Sequence, residues 1–200
     1  MQLKPAVTSV DIHDLIANRW SPRAMDPSKP VSHADLLALL EAARWAASCF
    51  NDQPWRFVVC DKSTDPTGWE AALATLVEKN RLWAKNAPVL ILSVAMANFN
   101  HNGQANRWAM YDTGAASATL SLQATALGLV AHQMGGFDAD KARHTFALPE
   151  DCTPMAMMAV GYQAEAASLD DMFQAAEVAE RSRAEVGQQF YAGTWGKGFA

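Results

Sequence analysis

With 200 residues, half of them hydrophobic, the chain can bury one sizeable core, and 18% charged residues is too few for long disordered tails. A net charge of −5 argues against a general nucleic-acid surface. Three cysteines, Cys49, Cys60 and Cys152, without a CxxC pair, exclude a disulfide scaffold or zinc ribbon. No run gives about twenty lipid-ready residues and no signal-peptide core opens the chain, so a soluble cytoplasmic protein without a membrane partner is expected.

In chain order, Ser9 or Asp11 is expected to cap a short helix ending near Asn18, stopped by the proline-rich loop "NRWSPRAMDPSKP". Ser32 and Asp35 predict a capping box for the helix "VSHADLLALLEAARWAA", with Leu36, Leu40 and Ala43 on one face. "PWRFVVCD" predicts a strand from about 55 to 60, and "TGWEAALATLVEKNRLWAKNA" a mainly helical stretch. The apolar run "PVLILSVAMA" suits a strand covered on both faces. After the polar stretch "NFNHNGQANRW" comes the longest helical signal, "DTGAASATLSLQATALGLV". It is small and apolar almost all round, so burial on most sides is expected, naturally by a second subunit. "AHQM" predicts a short strand, "DADKARHTFAL" a helix opened by Asp138, and "PMAMMAVGYQ" a buried strand. The tail "AERSRAEVGQQFYAGTWGKGFA" mixes aromatics, glycines and basic residues. Without linker composition or repeats, residues 1–200 are expected to form a single α+β or mixed α/β domain with about four strands.

Metal binding is not expected, because His13, His33, His101, His132 and His144 show neither HxxxH nor HExxH spacing. Phosphate-loop, GxGxxG and GxSxG fingerprints are absent, and no partner base is readable for Cys49. Arg19 and Arg23 flank Trp20-Ser21-Pro22, and Arg181 and Arg183 lie near the C-terminus. Closely spaced arginines can clamp a phosphate with forked, charge-assisted bonds. Gly135-Gly136 can admit a flat ligand or simply make a turn. Ser48, Asn51 and Gln53 can serve the hydrogen-bonding edge of a heterocycle or simply cap a helix end. Taken singly, each of these reads as ordinary surface, turn or cap.

Their order is more specific. Arg19-Trp20-Ser21-Pro22-Arg23, Ser48-Cys49-Phe50-Asn51-Asp52-Gln53-Pro54-Trp55, "ATALGLV", Gly135-Gly136-Phe137-Asp138, Arg181-Ser182-Arg183 and Trp195-Gly196 follow one another over residues 11 to 196. This series resembles the nitroreductase family of FMN-dependent oxidoreductases. The resemblance implies an α+β fold with a central mixed, mostly antiparallel sheet flanked by helices. It also implies an intertwined homodimer whose tail, about 184–200, wraps the partner. FMN is the implied cofactor and NADH or NADPH the implied donor. The implied cofactor-binding residues are Arg19, Trp20, Ser21, Arg23, Ser48, Asn51, Gln53, Gly135, Gly136, Arg181 and Arg183. No catalytic side chain is implied, since flavin N5 carries the chemistry. Phe50, Trp108 and Tyr111, with Phe99 and His101 nearby, are the candidate pocket for a small electron-poor acceptor such as a nitroaromatic, quinone or activated alkene. Ala47, Cys49-Phe50, Trp20 and Gly135 depart from the usual family residues, which bears on the acceptor more than on FMN. Rival readings are a different flavin reaction, such as reductive dehalogenation or flavin fragmentation, and a flavin-free interaction protein.

Overall fold

The computed structural model describes residues 4–199, so residues 1–3 and 200 of the expected domain lie outside the described residues. Four strands, β1 (Trp55–Asp61), β2 (Val89–Met96), β3 (Val130–Met134) and β4 (Cys152–Gly161), form one sheet in the order β1-β2-β4-β3. Every neighbouring pair is antiparallel, a purer arrangement than the mixed sheet expected. Register puts the start of β1 (Trp55 opposite Ala95), the end of β2, the start of β4 and the end of β3 at the same end of the sheet. The turn before β1 and the glycines after β3 therefore share that end but sit on opposite edges. Three interstrand steps separate those edges, about 14 Å at the usual strand spacing.

Both sheet faces are covered. Leu90, Leu92 and Val94 of β2 point into one core layer, and Val89 and Ile91 into the other. On the first face lie α3 (Pro66–Thr75), α4 (Glu78–Ala84), α6 (Ala139–Thr145) and α7 (Asp171–Val178), through Trp69, Trp83, Ala142 and Phe173. The second face carries α2 (His33–Arg44) and α5 (Ala109–Ala126), through Leu39, Ala43, Ala116 and Leu120. β2 is buried from Val89 to Ala95, as its unbroken apolar run predicts.

The helix ends follow local chemistry. Ser32 Oγ accepts from the Asp35 amide (3.0 Å) and donates to its carboxylate (2.8 Å), as the sequence predicts. The buried stripe of α2 is Leu36, Leu39 and Ala43, so Leu39 replaces the expected Leu40. Helix α1 (Asp14–Asn18) is capped by His13, whose Nδ1 accepts from the Leu15 amide at 3.2 Å, and not by Ser9 or Asp11. The helical stretch expected over 67–87 breaks after Thr75. Leu76 leaves it to pair with Phe137, and the Val77 amide donates to the Gly136 carbonyl.

Helices α5 and α6 end in the same motif with different residues. After α5 the Leu129 amide reaches back to the Ala124 carbonyl, and Gly128 sits at φ 72. After α6 the Leu148 amide reaches the Arg143 carbonyl, but Ala147 holds the left-handed position at φ 48. A side chain in that region is crowded against its own carbonyl. Ala147→Gly should therefore stabilise the fold by about 1 kcal/mol, raising Tm by about 2–4 °C in a calorimetric scan.

Within one chain α5 is buried on the side carrying Ala116, Ser117, Leu120, Ser121 and Ala124. Met110, Tyr111, Gly114 and Ala118 remain exposed, so the burial on most sides expected from sequence is not reached in one subunit. After α8 (Val186–Gln189), residues 190–199 close as a small hairpin, with Ala192 N to Lys197 O at 2.8 Å and Phe199 N to Phe190 O at 2.9 Å. Phe190, Trp195 and Phe199 are exposed on it. Among the described residues no helix is long and apolar enough to cross a membrane.

Candidate functional site

The loop after α1 is held by its backbone. Arg181 donates to the carbonyls of Lys4 (2.7 Å), Ala17 (2.6 Å) and Arg19 (3.0 Å). The Glu177 carboxylate accepts the Arg23 amide at 2.9 and 3.0 Å and the Ala24 amide at 3.0 Å. His132 Nδ1 lies 3.0 Å from the Pro22 carbonyl. A carbonyl only accepts, so Nδ1 carries the proton. The ring of His132 packs against Trp83 with centroids 4.6 Å apart. Burial, reinforced by the charges of Arg23 and Arg19, pushes its pKa down to about 4 against the bond to Pro22. The ring is therefore neutral at pH 7.

This held loop displays cations. Among the described residues, no carboxylate lies within ion-pair distance of Arg19, Arg23, Arg181 or Arg183. Burial, then the charges of Arg181 and Arg183, lowers the pKa of Arg19; burial, then Arg183, lowers that of Arg181. Such a cluster is relieved by an anion supplied from outside. Arg19 Nη1 reaches Ser21 Oγ at 3.3 Å. The exposed Arg183 bonds only the neighbouring Ser182 carbonyl, at 2.7 Å. The Trp20 ring carries Lys4 Nζ at 4.5 Å on one face.

The two glycines after β3 differ in what they do. The Gly136 carbonyl accepts from Val77 N (3.1 Å) and Asn80 Nδ2 (3.0 Å), and a Cβ there would stand 2.6 Å from Asn80 Nδ2. A side chain at 136 would push the Asn80 amide away from the carbonyl it holds. A Cβ at Gly135 would meet nothing within 4 Å, and its φ is not positive. Glycine at 135 thus leaves backbone open to close approach by a flat group. His132, three residues upstream on β3, touches the cation loop, so loop and open glycine share one edge of the sheet.

The turn at 48–53 forms a second, separate group. Ser48 Oγ accepts the Gln53 amide (3.0 Å), leaving its own proton to donate. Gln53 Nε2 donates to the Asn51 carbonyl (3.0 Å), and Cys49 N to Asp112 Oδ2 (3.0 Å). Buried Asp52 accepts Asn100 N (2.8 Å) and Asn106 Nδ2 (3.3 Å), while its carbonyl accepts Asn100 Nδ2 (2.8 Å). Ser48 and Gln53 are thus partly committed to the turn, whereas the Asn51 side chain is exposed. Phe50, Asn51 and Gln53 all have positive φ, near 54, 54 and 51°. Phe50 is 79% exposed and stands 6.0 Å from Phe99 and 5.6 Å from His101, ring to ring. With Asn51, Asp52, Gln53 and Asn100 it lines an open depression of ≈ 560 Å³. Trp108 and Tyr111 are exposed at the start of α5 and do not line it.

The candidate residues thus fall into two groups at opposite edges of the sheet: cations and an open glycine at the β3 edge, and amides with aromatics at the β1 edge. Sequence alone did not single out Glu177, His132 or Asp112 as parts of these groups, whereas Asp52 lies inside the polar run 48–53. Only Asp112 carried a local signal, an acid at the head of an otherwise small and apolar helix. Glu177 acts across 154 positions of chain, beyond any local pattern.

Comparison with known proteins gives a consistent neighbourhood. The model of the nitroreductase family matches residues 16–162. A 15.4 kDa protein of Mycolicibacterium smegmatis is 32% identical over 147 residues, spanning 70% of this chain and 97% of that protein. The major NAD(P)H-flavin oxidoreductase of Aliivibrio fischeri is 40% identical over 81 residues, 40% of this chain and 37% of its own length. A crystal structure described as an oxidoreductase containing FMN superposes with a TM-score of 0.89 at 31% identity, covering 96% of both chains. A Clostridium difficile nitroreductase family protein at 22% identity shares the fold, with a TM-score of 0.70.

Proposed function

This chain belongs to the nitroreductase family, and from that premise we propose that it is an FMN-dependent oxidoreductase passing electrons from NADH or NADPH to an electron-poor small molecule. The observation that carries the reading is the set of arginines without acidic partners beside the open backbone at Gly135. FMN fits that chemistry, combining a phosphate of nearly two negative charges with a flat ring. The relative and the structure named for flavin chemistry support the same cofactor. When bound, FMN supplies a reversible hydride and electron acceptor.

The residues divide the work. Arg19, Ser21, Arg23 and Arg183 hold the phosphate, and Arg181 holds the loop that presents them. Gly135 and Gly136 admit the ring. Ser48, Asn51 and Gln53 supply donors and acceptors to its polar edge, from a second copy of the chain. The strand order supports that assignment, because it sets the 48–53 turn across the whole sheet from Gly135. The exposed side of α5 and the aromatics of the 190–199 hairpin are the surfaces we assign to the homodimer. Phe50, beside Phe99 and His101, borders the acceptor's entrance, and a nitroaromatic, quinone or activated alkene is the acceptor class.

The test is direct. Purified protein should be yellow, and NADH or NADPH should bleach the bound flavin under anaerobic conditions. A nitroaromatic or quinone should then restore the colour. A flavin that neither nucleotide reduces would sink the donor assignment, and a protein that takes up no FMN would sink the cofactor assignment.

A further inference from the structure

Glu177 is 1% exposed, carries a carboxylate into the interior, and has no cation on that carboxylate within ion-pair distance among the described residues. Burying a carboxylate is costly unless its oxygens are satisfied. Here they are satisfied by main chain alone: Oε1 takes the amides of Arg23 and Ala24, and Oε2 takes the amide of Arg23 again. The residue sits on α7, outside the stretch 16–162 that the family model matches. Its own carbonyl accepts Lys4 Nζ at 2.7 Å.

The geometry points to Glu177 as a positioning residue for the phosphate group of the cofactor, a role that rests on the FMN reading above. Two amides fixed to one carboxylate set the backbone at 23–24, and so the direction in which the Arg23 side chain leaves the loop. The other side chains on this loop act further upstream, His132 on the Pro22 carbonyl and Arg181 on the carbonyls of Ala17 and Arg19. Glu177 alone reaches the amides at the Arg23 end. Misplacing a binding group by about 1 Å is enough to cost it most of its effect.

Electrostatics and positioning make opposite predictions for this residue. A stray acid beside a cation cluster repels phosphate, so its removal would tighten FMN binding. A positioning acid orients the cations, so its removal weakens FMN binding. The weakening must also be specific for phosphate, leaving riboflavin, which has the ring and ribityl chain alone, unaffected.

The experiment measures dissociation constants of FMN and riboflavin by flavin fluorescence for the full chain, Glu177→Ala and Glu177→Gln, each checked for a cooperative thermal melt. Glu177→Ala should weaken FMN about tenfold and leave riboflavin within about twofold. Glu177→Gln keeps an oxygen for the Oε1 bonds to both amides but turns a donor toward the Arg23 amide in place of Oε2, so it should recover only part of the FMN preference. Tighter FMN binding by either variant, or equal weakening of both flavins by a folded variant, overturns the inference. If the alanine variant does not fold, the glutamine variant decides. A loss of about threefold or more in FMN preference supports positioning, since the Oε2 acceptor is replaced by a donor facing the Arg23 amide, and an unchanged preference rejects it. A wild-type chain that binds neither flavin rejects the FMN reading and this role with it. A wild-type chain that prefers FMN, paired with variants of unchanged preference, rejects only the role of Glu177.

Discussion

Arg183→Ala should lower the affinity for FMN by about a hundredfold, near the top of the range for one charge-assisted contact, and leave Tm within about 1 °C of the parent protein. The reason is the division of labour between two arginines one residue apart. Arg181 spends its donors on three backbone carbonyls and is partly buried. Arg183 is exposed, bonds only the adjacent carbonyl, and adds its charge to those of Arg19 and Arg181. Truncating Arg183 removes a cation from the proposed phosphate site, and its only hydrogen bond among the described residues is to the adjacent Ser182 carbonyl. Truncating Arg181 instead leaves carbonyls of Lys4, Ala17 and Arg19 without their donor, so it should lower Tm and FMN affinity together. Flavin titration and thermal melts of the pair separate the roles. Equal FMN affinity for Arg183→Ala and the parent would remove Arg183 from the phosphate site, whatever Arg181 does. Raising salt should also weaken FMN less in Arg183→Ala than in the parent, because one exposed charge is missing from the attraction.

The elements that the sequence made legible are those whose signals are local. The Ser32–Asp35 cap, the Asp138 cap and the apolar run of β2 rest on residues within a few positions of one another, and the structure contains all of them. The split between α3 and α4 was not legible, because its cause is the pairing of Leu76 with Phe137, 61 positions away. The same distinction runs through the site. Arginines, glycines and amides could be picked out by type and order. Which of their groups are spent internally could not: Arg181 on distant carbonyls, Ser48 on Gln53, Gly136 on Asn80. The braces themselves, Glu177, His132 and Asp52, are single polar residues whose partners lie 48 to 154 positions along the chain. Their meaning exists only after the sheet has brought those partners together.

Asp52→Ala should destabilise the fold by about 3 kcal/mol, from the loss of two hydrogen bonds to a charged acceptor, and lower Tm by roughly 6–12 °C. Asp52 is buried, and its two oxygens serve different parts of the 98–106 loop, Asn100 N on one and Asn106 Nδ2 on the other. Asn106 is also buried and its Oδ1 accepts the Trp108 amide at 3.0 Å, so it cannot flip to compensate. Asp52→Asn therefore repairs only half the loss. One oxygen can still accept from Asn100, but the new amide faces the Asn106 amide, donor against donor. The parent, Asp52→Asn and Asp52→Ala should melt in that descending order. The substitution also acts on the turn. Phe50, Asn51 and Gln53 hold positive φ around Asp52, a conformation costing of order 1 kcal/mol or more at a bulky residue. That cost is sustained because Asp52, Asp112 and Ser48 over-determine the turn. Without Asp52 the turn should relax, moving Phe50 away from Phe99 and His101 and changing the depression they border. Proteolysis at 48–53 should then become faster in Asp52→Ala than in the parent at temperatures where both are folded. Melting temperatures within 2 °C of each other and equal cleavage rates would show that the 98–106 loop does not brace this turn.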